Sequence, residues 1–168
     1  MSMPGGYVRC HGCSFEGLMQ HRPVTLEYRL PSGETIKGYR RFAWCTTCLN
    51  VTEAEEAIDA VPIRSQITAI QQRNRGIAKR LFGPSEQDSA ELKSLNAKLR
   101  LAQVRRSPPR CLRCEEPTVM PLQFDSNSTS NVTHSCGRRL FLVPEDPDAP
   151  RFMFRPEVIR LDAEGLRL

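Results

Sequence analysis

The chain is poor in apolar residues, aromatics and histidine. Hydrophobic residues occupy 39% of its 168 positions and aromatics 7%, with one tryptophan and three histidines. An ordinary globular domain draws roughly 45–50% of its residues from the apolar set, so one large hydrophobic core is not expected. Something besides apolar burial must help to hold the fold. No apolar run approaches the ~18–20 residues that a membrane-spanning helix needs. The first residues, Met1-Ser2-Met3-Pro4-Gly5-Gly6, carry no apolar stretch of signal-peptide type, and a cytoplasmic chain is expected. No Ser-His-Asp grouping, glycine-rich phosphate loop or paired carboxylate motif is visible, so the expectation is a protein that is not an enzyme.

What the sequence does hold is cysteine, seven in all. Six form three Cys-x-x-Cys pairs, Cys10/Cys13, Cys45/Cys48 and Cys111/Cys114, and Cys136 stands two residues after His134. As disulfides, an odd count leaves one thiol over. As thioredoxin-like redox motifs, each pair would need a βαβ context that the pattern does not supply. As zinc ligands, the cysteines and His134 together supply the donors of two four-coordinate structural sites. Two zinc ions per chain are therefore expected. A catalytic zinc keeps one position open, and zinc deaminases place His-x-Glu ahead of Cys-x-x-Cys. Here that order is reversed and the glutamate is missing. His11, inside the first pair, and His21, without partner spacing, read as bystanders; a surface-loop histidine is the rival reading of His134.

The spacing suggests how the pairs combine. Val24, Leu26, Tyr28 and Leu30 alternate with polar residues, Pro31-Ser32-Gly33-Glu34 supplies a turn, and residues 36–44 return as a second strand. A hairpin brings its ends together, which predicts Cys10, Cys13, Cys45 and Cys48 around one ion. Cys111, Cys114, His134 and Cys136 then surround the other, with strands over 119–124 and 140–143 and a polar loop over 125–131. Both units resemble zinc-ribbon proteins, in which a knuckle, a β-hairpin and a second knuckle enclose the metal. Cys136-Gly137-Arg138-Arg139-Leu140 is similar to the Cys-Gly-x-x-Leu closing turn of that family. The resemblance covers residues 7–50 and 108–143, and it departs from the family in a long first insert and in a His-x-Cys closure.

Between the units the period becomes helical. Thr52-Glu53-Ala54-Glu55 reads as a capping box that opens a short helix ended or kinked by Pro62. Ile67, Ile70, Asn74, Ile77 and Leu81 step by three and four, as do Leu92, Leu95, Leu99 and Ala102. Gly83-Pro84 separates the two stripes, Asp88-Ser89-Ala90-Glu91 opens the second, and Ser107-Pro108-Pro109 ends it. An antiparallel helical hairpin is predicted, although the same stripes would also serve pairing of two chains as a homodimer. Asn74 falls on the seam, as a register specifier or as a wet position. The expected fold class is a small zinc-stabilised α+β protein. It would have a ribbon-like unit over 1–51, a basic helical hairpin over 52–107 and a second ribbon-like unit over 108–143. An acidic Pro-rich linker and a C-terminal strand or docking strip would follow over 144–168.

The net charge of +5 is unevenly spread. Residues 62–114 hold twelve Lys/Arg against three Asp/Glu, while the other stretches are mildly acidic. Arg73, Arg75, Lys79 and Arg80 lie off the first stripe, and Lys93, Lys98, Arg100 and Arg105 lie off the second. A basic face of this kind suits a phosphate backbone or an acidic protein surface; a merely solvated helix face is the bland alternative. The function expected is contact with nucleic acid or a nucleoprotein machine. The alternative is a protein–protein adapter using the ribbon surfaces, the hairpin tip over 82–88, or the strip over 151–168. A basic hairpin beside a zinc module also loosely resembles bacterial regulators that insert a coiled coil into RNA polymerase.

Overall fold

The computed structural model describes residues 5–20, 22–75, 83–144 and 155–168. Within them the chain is α+β, with ten strands and two helices: β1 Gly5–Cys10, β2 Glu16–Gln20, β3 Val24–Arg29, β4 Thr35–Gly38, β5 Arg40–Cys45, β6 Asn50–Glu55, α1 Ala60–Arg73, α2 Glu86–Val104, β7 Val119–Pro121, β8 Thr129–Thr133, β9 Arg139–Pro144 and β10 Glu157–Asp162. They form a sheet of order β2-β1-β9-β8 and two three-stranded sheets, β10-β3-β4 and β6-β5-β7. Among the described residues no helix is long and apolar enough to cross a membrane.

Alternation places β3 as the sequence suggests, with Leu26 and Tyr28 buried on one face. The turn after it closes through Gly33 N–H to Leu30 O and Leu30 N–H to Glu34 O, with Gly33 at φ +84°. The expected return strand over 36–44 is instead two strands in different sheets, parted at Tyr39. Gly38 lies against the buried Tyr28 ring so closely that a Cβ there would fall 2.1 Å from a ring carbon. Beyond that contact Arg40 turns its guanidinium inward, to Glu53 and to Arg22 O, and β5 joins β6 and β7. The first hairpin therefore does not carry Cys45 and Cys48 back to Cys10 and Cys13.

The capping-box reading of residues 52–55 is also corrected. They belong to β6, which pairs with β5 through Ala43↔Thr52 and Trp44↔Val51. Helix α1 opens later, where the Asp59 carboxylate accepts Val61 N–H at 2.8 Å. Pro62 sits in its first turn, where a missing N–H costs no intrahelical bond. Helix α2 opens at Ser85, whose hydroxyl accepts from Asp88 N–H at 3.1 Å, three residues before the expected start.

Ile63, Ile67 and Ile70 of α1 pack on Leu95, Leu92 and Leu99 of α2, and Arg73 meets Asp88 at 3.2 Å where the helices adjoin. This is the antiparallel hairpin that the two stripes imply. Ile77 and Leu81 of the first stripe lie outside the described residues. Farther along α2, Leu101 is fully buried among Leu26, Tyr28, Ile36, Ile159 and Leu161, so one helix joins two cores. The C-terminal strip forms a strand over Glu157–Asp162, parallel to β3. Residues 1–51 and 108–143 do not fold as separate units. Strand β1 pairs β9 from Gly6↔Pro144 to Cys10↔Leu140, and β5 pairs β7 from Ala43↔Pro121 to Cys45↔Val119.

A buried carboxylate ties these parts together. Glu55 is 1% exposed and accepts from Tyr28 Oη at 2.6 Å, Arg105 Nη1 at 2.8 Å, Arg105 Nη2 at 2.6 Å and the Arg110 backbone N–H at 2.7 Å. Burial and the adjacent Glu55 charge push the Tyr28 phenol well above its ordinary range, so it stays a donor. Gly165, at φ +80°, leaves the room this carboxylate occupies; a Cβ there would sit 2.6 Å from its oxygens. Arg105→Ala removes the charged partner of a buried ion and is expected to destabilise the fold by about 3–5 kcal/mol. Urea unfolding monitored by circular dichroism measures this, and an unchanged midpoint would show that the pair does not anchor the α2–β6 junction.

Candidate metal centres

The eight sequence-predicted donors gather into two clusters, in a partnership other than the one expected. Cys10, Cys13, His134 and Cys136 form one, and Cys45, Cys48, Cys111 and Cys114 form the other. Within each, all ligand atoms lie within 4.8 Å of one another, so the protein offers places for two metal ions. The physical reason for the exchange is the sheet pairing above. Strand β1 ends at Cys10 beside Leu140, next to the Cys136 turn, and β5 ends at Cys45 beside Val119, next to the Cys111/Cys114 knuckle. The isolated bridge Ala54↔Cys111 and the bond from Leu112 N–H to Glu53 O at 2.9 Å hold that knuckle against β6.

Distances suit tetrahedral coordination. A 2.3 Å metal–sulfur bond puts two sulfurs of a tetrahedron roughly 3.8 Å apart. Cys45 Sγ–Cys114 Sγ is 3.6 Å and Cys48 Sγ–Cys111 Sγ is 3.9 Å. In the other cluster Cys10 Sγ–Cys136 Sγ is 3.2 Å, and His134 Nδ1 lies 3.4 Å from Cys13 Sγ and 3.3 Å from Cys136 Sγ. Nδ1 of His134 thus points among the thiols, unlike a loop histidine facing water. Its ring stacks on Phe15 at 4.9 Å and meets Trp44 edge-on at 5.6 Å. His11 stacks on Phe141 and belongs to neither cluster, and His21 lies outside the described residues.

Each knuckle aims backbone N–H groups at sulfur, which favours thiolate. Gly12 N–H points to Cys10 Sγ, Cys48 N–H to Cys45 Sγ and Arg113 N–H to Cys111 Sγ, all at 3.4 Å. Burial raises the Cys111 thiol, but the Cys114 N–H, the Thr52 hydroxyl and the Arg113 N–H outweigh it and bring the group down to about 7. The turn over residues 134–138 closes through Gly137 N–H to His134 O at 2.9 Å, with Gly137 at φ +82°. Gly12 is needed for a different reason: a Cβ would fall 2.4 Å from Arg138 Cγ, which covers the first knuckle. With four protein donors each, both clusters can close around an ion without an open position for water, an arrangement that fits structure better than catalysis.

The basic residues fare differently. The Arg105 side chain is 8% exposed and bound to Glu55, so it cannot reach an outside partner. Arg100 makes a two-pronged pair with Glu34 at 3.0 and 2.5 Å, Arg73 pairs with Asp88, and Lys98 sits 4.3 Å over the Tyr39 ring. Arg75 and Lys93 are exposed on the hairpin, and Lys79 and Arg80 lie outside the described residues. The sequence pattern assigns no site role to Phe15, Trp44, Thr52 or Glu55, whose side chains meet His134, Cys111 and Arg105 far along the chain. No protein-family description matches the chain, and no curated protein or solved structure matches it either.

Double substitutions test the partnership. Cys10→Ser combined with Cys136→Ser is expected to lose one metal equivalent, no more than either alone, whereas Cys10→Ser combined with Cys45→Ser loses two. Elemental analysis of the purified variants reads this, and two equivalents lost by the first combination would restore the ribbon-wise pairing.

Proposed function

We propose that both clusters hold zinc in a structural role and that the protein is a non-enzymatic module that contacts nucleic acid. Thiolate-rich tetrahedral donor sets suit zinc, whose closed d shell imposes no other geometry. A structural zinc contributes an apparent ~10–16 kcal/mol in small peptides at neutral pH, enough to stand in for a large apolar core. The observation that carries the nucleic-acid reading is the charge of residues 62–114, twelve Lys/Arg against three Asp/Glu. Internal pairs absorb Arg73, Arg100 and Arg105, but Arg64 and Arg75 are exposed and have no acidic partner among the described residues. Such cations bind phosphate by releasing condensed counterions, which leaves a salt signature.

The expected outcome is two zinc ions per chain by elemental analysis. Fluorescence anisotropy with labelled oligonucleotides should give an affinity that falls as salt rises, with a log–log slope of about −0.7 per phosphate neutralised on a single strand. Absence of binding at low salt, or binding without a salt slope, would overturn the nucleic-acid reading and favour the adapter.

A further inference from the structure

We infer that the nucleic-acid contact, resting on the reading above, is centred in a groove beside the Cys45/Cys48/Cys111/Cys114 cluster and takes a single strand. The groove encloses about 480 Å³ between β2, β5, β6, the Cys111/Cys114 knuckle and the C-terminus. Leu18, Phe42 and Leu112 give it an apolar floor, and Arg22, Arg113 and Arg167 stand around it. Leu18 is 47% exposed, so its edge offers apolar surface for something to cover.

Charge decides what that something is. The lining has three guanidiniums and one carboxylate, Glu53, which is itself 7% exposed and held by Arg40 and Arg22. Arg113 is exposed and has no acidic partner among the described residues. Arg167 gives one Nη to Leu112 O at 2.7 Å and meets Glu115 at 3.4 Å; Arg22 gives one Nη to Glu53 at 3.0 Å, and the other lies 3.8 Å from Glu157. Each has donors to spare for an oxygen-rich anion, and a guanidinium fork fits phosphate in two-pronged fashion. A floor that holds one aromatic ring, Phe42, between phosphate-binding arginines matches a strand that turns a base to the protein while its backbone lies along the rim. A duplex hides its bases and is too wide for such a recess. Arg113 stands between Cys111 and Cys114 in the chain, so a metal held by those two thiolates would fix the backbone that carries it.

The test is anisotropy of a labelled uridine homo-oligomer at about 50 mM salt, repeated across a salt series. Four proteins are compared in their metal-loaded form: the unaltered chain, Arg113→Ala/Arg167→Ala, Leu18→Asp, and Arg75→Ala/Lys93→Ala on the hairpin. Metal content and circular dichroism confirm that each is folded. The groove variant is expected to bind roughly tenfold more weakly, with a salt slope shallower by about 1 to 2. Leu18→Asp is expected to weaken binding to a similar degree with the metal retained. If the unaltered chain binds and the groove variants bind equally well while the hairpin variant does not, the groove is overturned and the nucleic-acid reading stands. If the unaltered chain does not bind, both fail. If polyglutamate displaces the oligonucleotide at equal charge concentration, the groove is a general acidic-partner surface and the assignment to nucleic acid is overturned.

Discussion

Everything in this fold depends on chain segments far apart in sequence meeting at two small knots of sulfur. Cys10 and Cys136 are 126 positions apart and Cys45 and Cys114 are 69 apart, yet their sulfurs lie 3.2 and 3.6 Å from each other. Closing such long loops has an entropic cost that grows only slowly with length, so a strong local interaction can hold them. The strands on either side make the same demand. Cys10 ends β1 in register with Leu140, and Cys45 ends β5 in register with Val119. Ladder hydrogen bonds and donor clusters therefore impose one closure twice over. The apolar residues then need only fill three modest cores, one between the helices, one where α2 meets the β10-β3-β4 sheet, and one among β1, β5, β6, β8 and β9.

Donor identity was readable from sequence because metal chemistry restricts residue type, and the types appear at knuckle spacing. Which knuckle meets which was not readable, because every Cys-x-x-Cys pair looks alike locally. The distinguishing signal lay outside the knuckles. Tyr7, Val8 and Arg9 precede the first pair and Leu140, Phe141 and Leu142 follow the last donor, and these two runs are the strands that pair across the chain. A capping-box pattern at Thr52 misled for a similar reason. Threonine and glutamate at that spacing also suit a strand when the glutamates find cations, and Glu53 and Glu55 find Arg22, Arg40 and Arg105. Those partners stand 13 to 50 positions away, beyond the reach of any local pattern. The helical hairpin, by contrast, is a local object, and its two stripes suffice to place it.

Charge shows the same division between local composition and long-range pairing. The formal +5 treats every thiol as neutral. Thiolates gathered around two divalent cations would remove about three of those charges. Density of arginine along the sequence is also not density on the surface. Arg105 turns into the core to satisfy Glu55, and Arg100 and Arg73 are spent on Glu34 and Asp88. Cations available to an outside partner are those the fold leaves over, and they include Arg113, which no helical periodicity would single out.

The two clusters differ in exposure, and the difference has chemical consequences. Cys45 and Cys111 are buried and Cys48 and Cys114 partly so, whereas Cys13 and Cys136 of the other cluster are exposed. Chelators and oxidants reach an exposed thiolate first, since reactivity follows both thiolate character and access. Loss of the outer cluster would loosen the β1–β9 closure while leaving the Cys111/Cys114 knuckle fixed to β6 through Leu112 N–H and Glu53 O. The cluster of Cys45, Cys48, Cys111 and Cys114 is thus the more shielded of the two, and Arg113 lies between two of its donors.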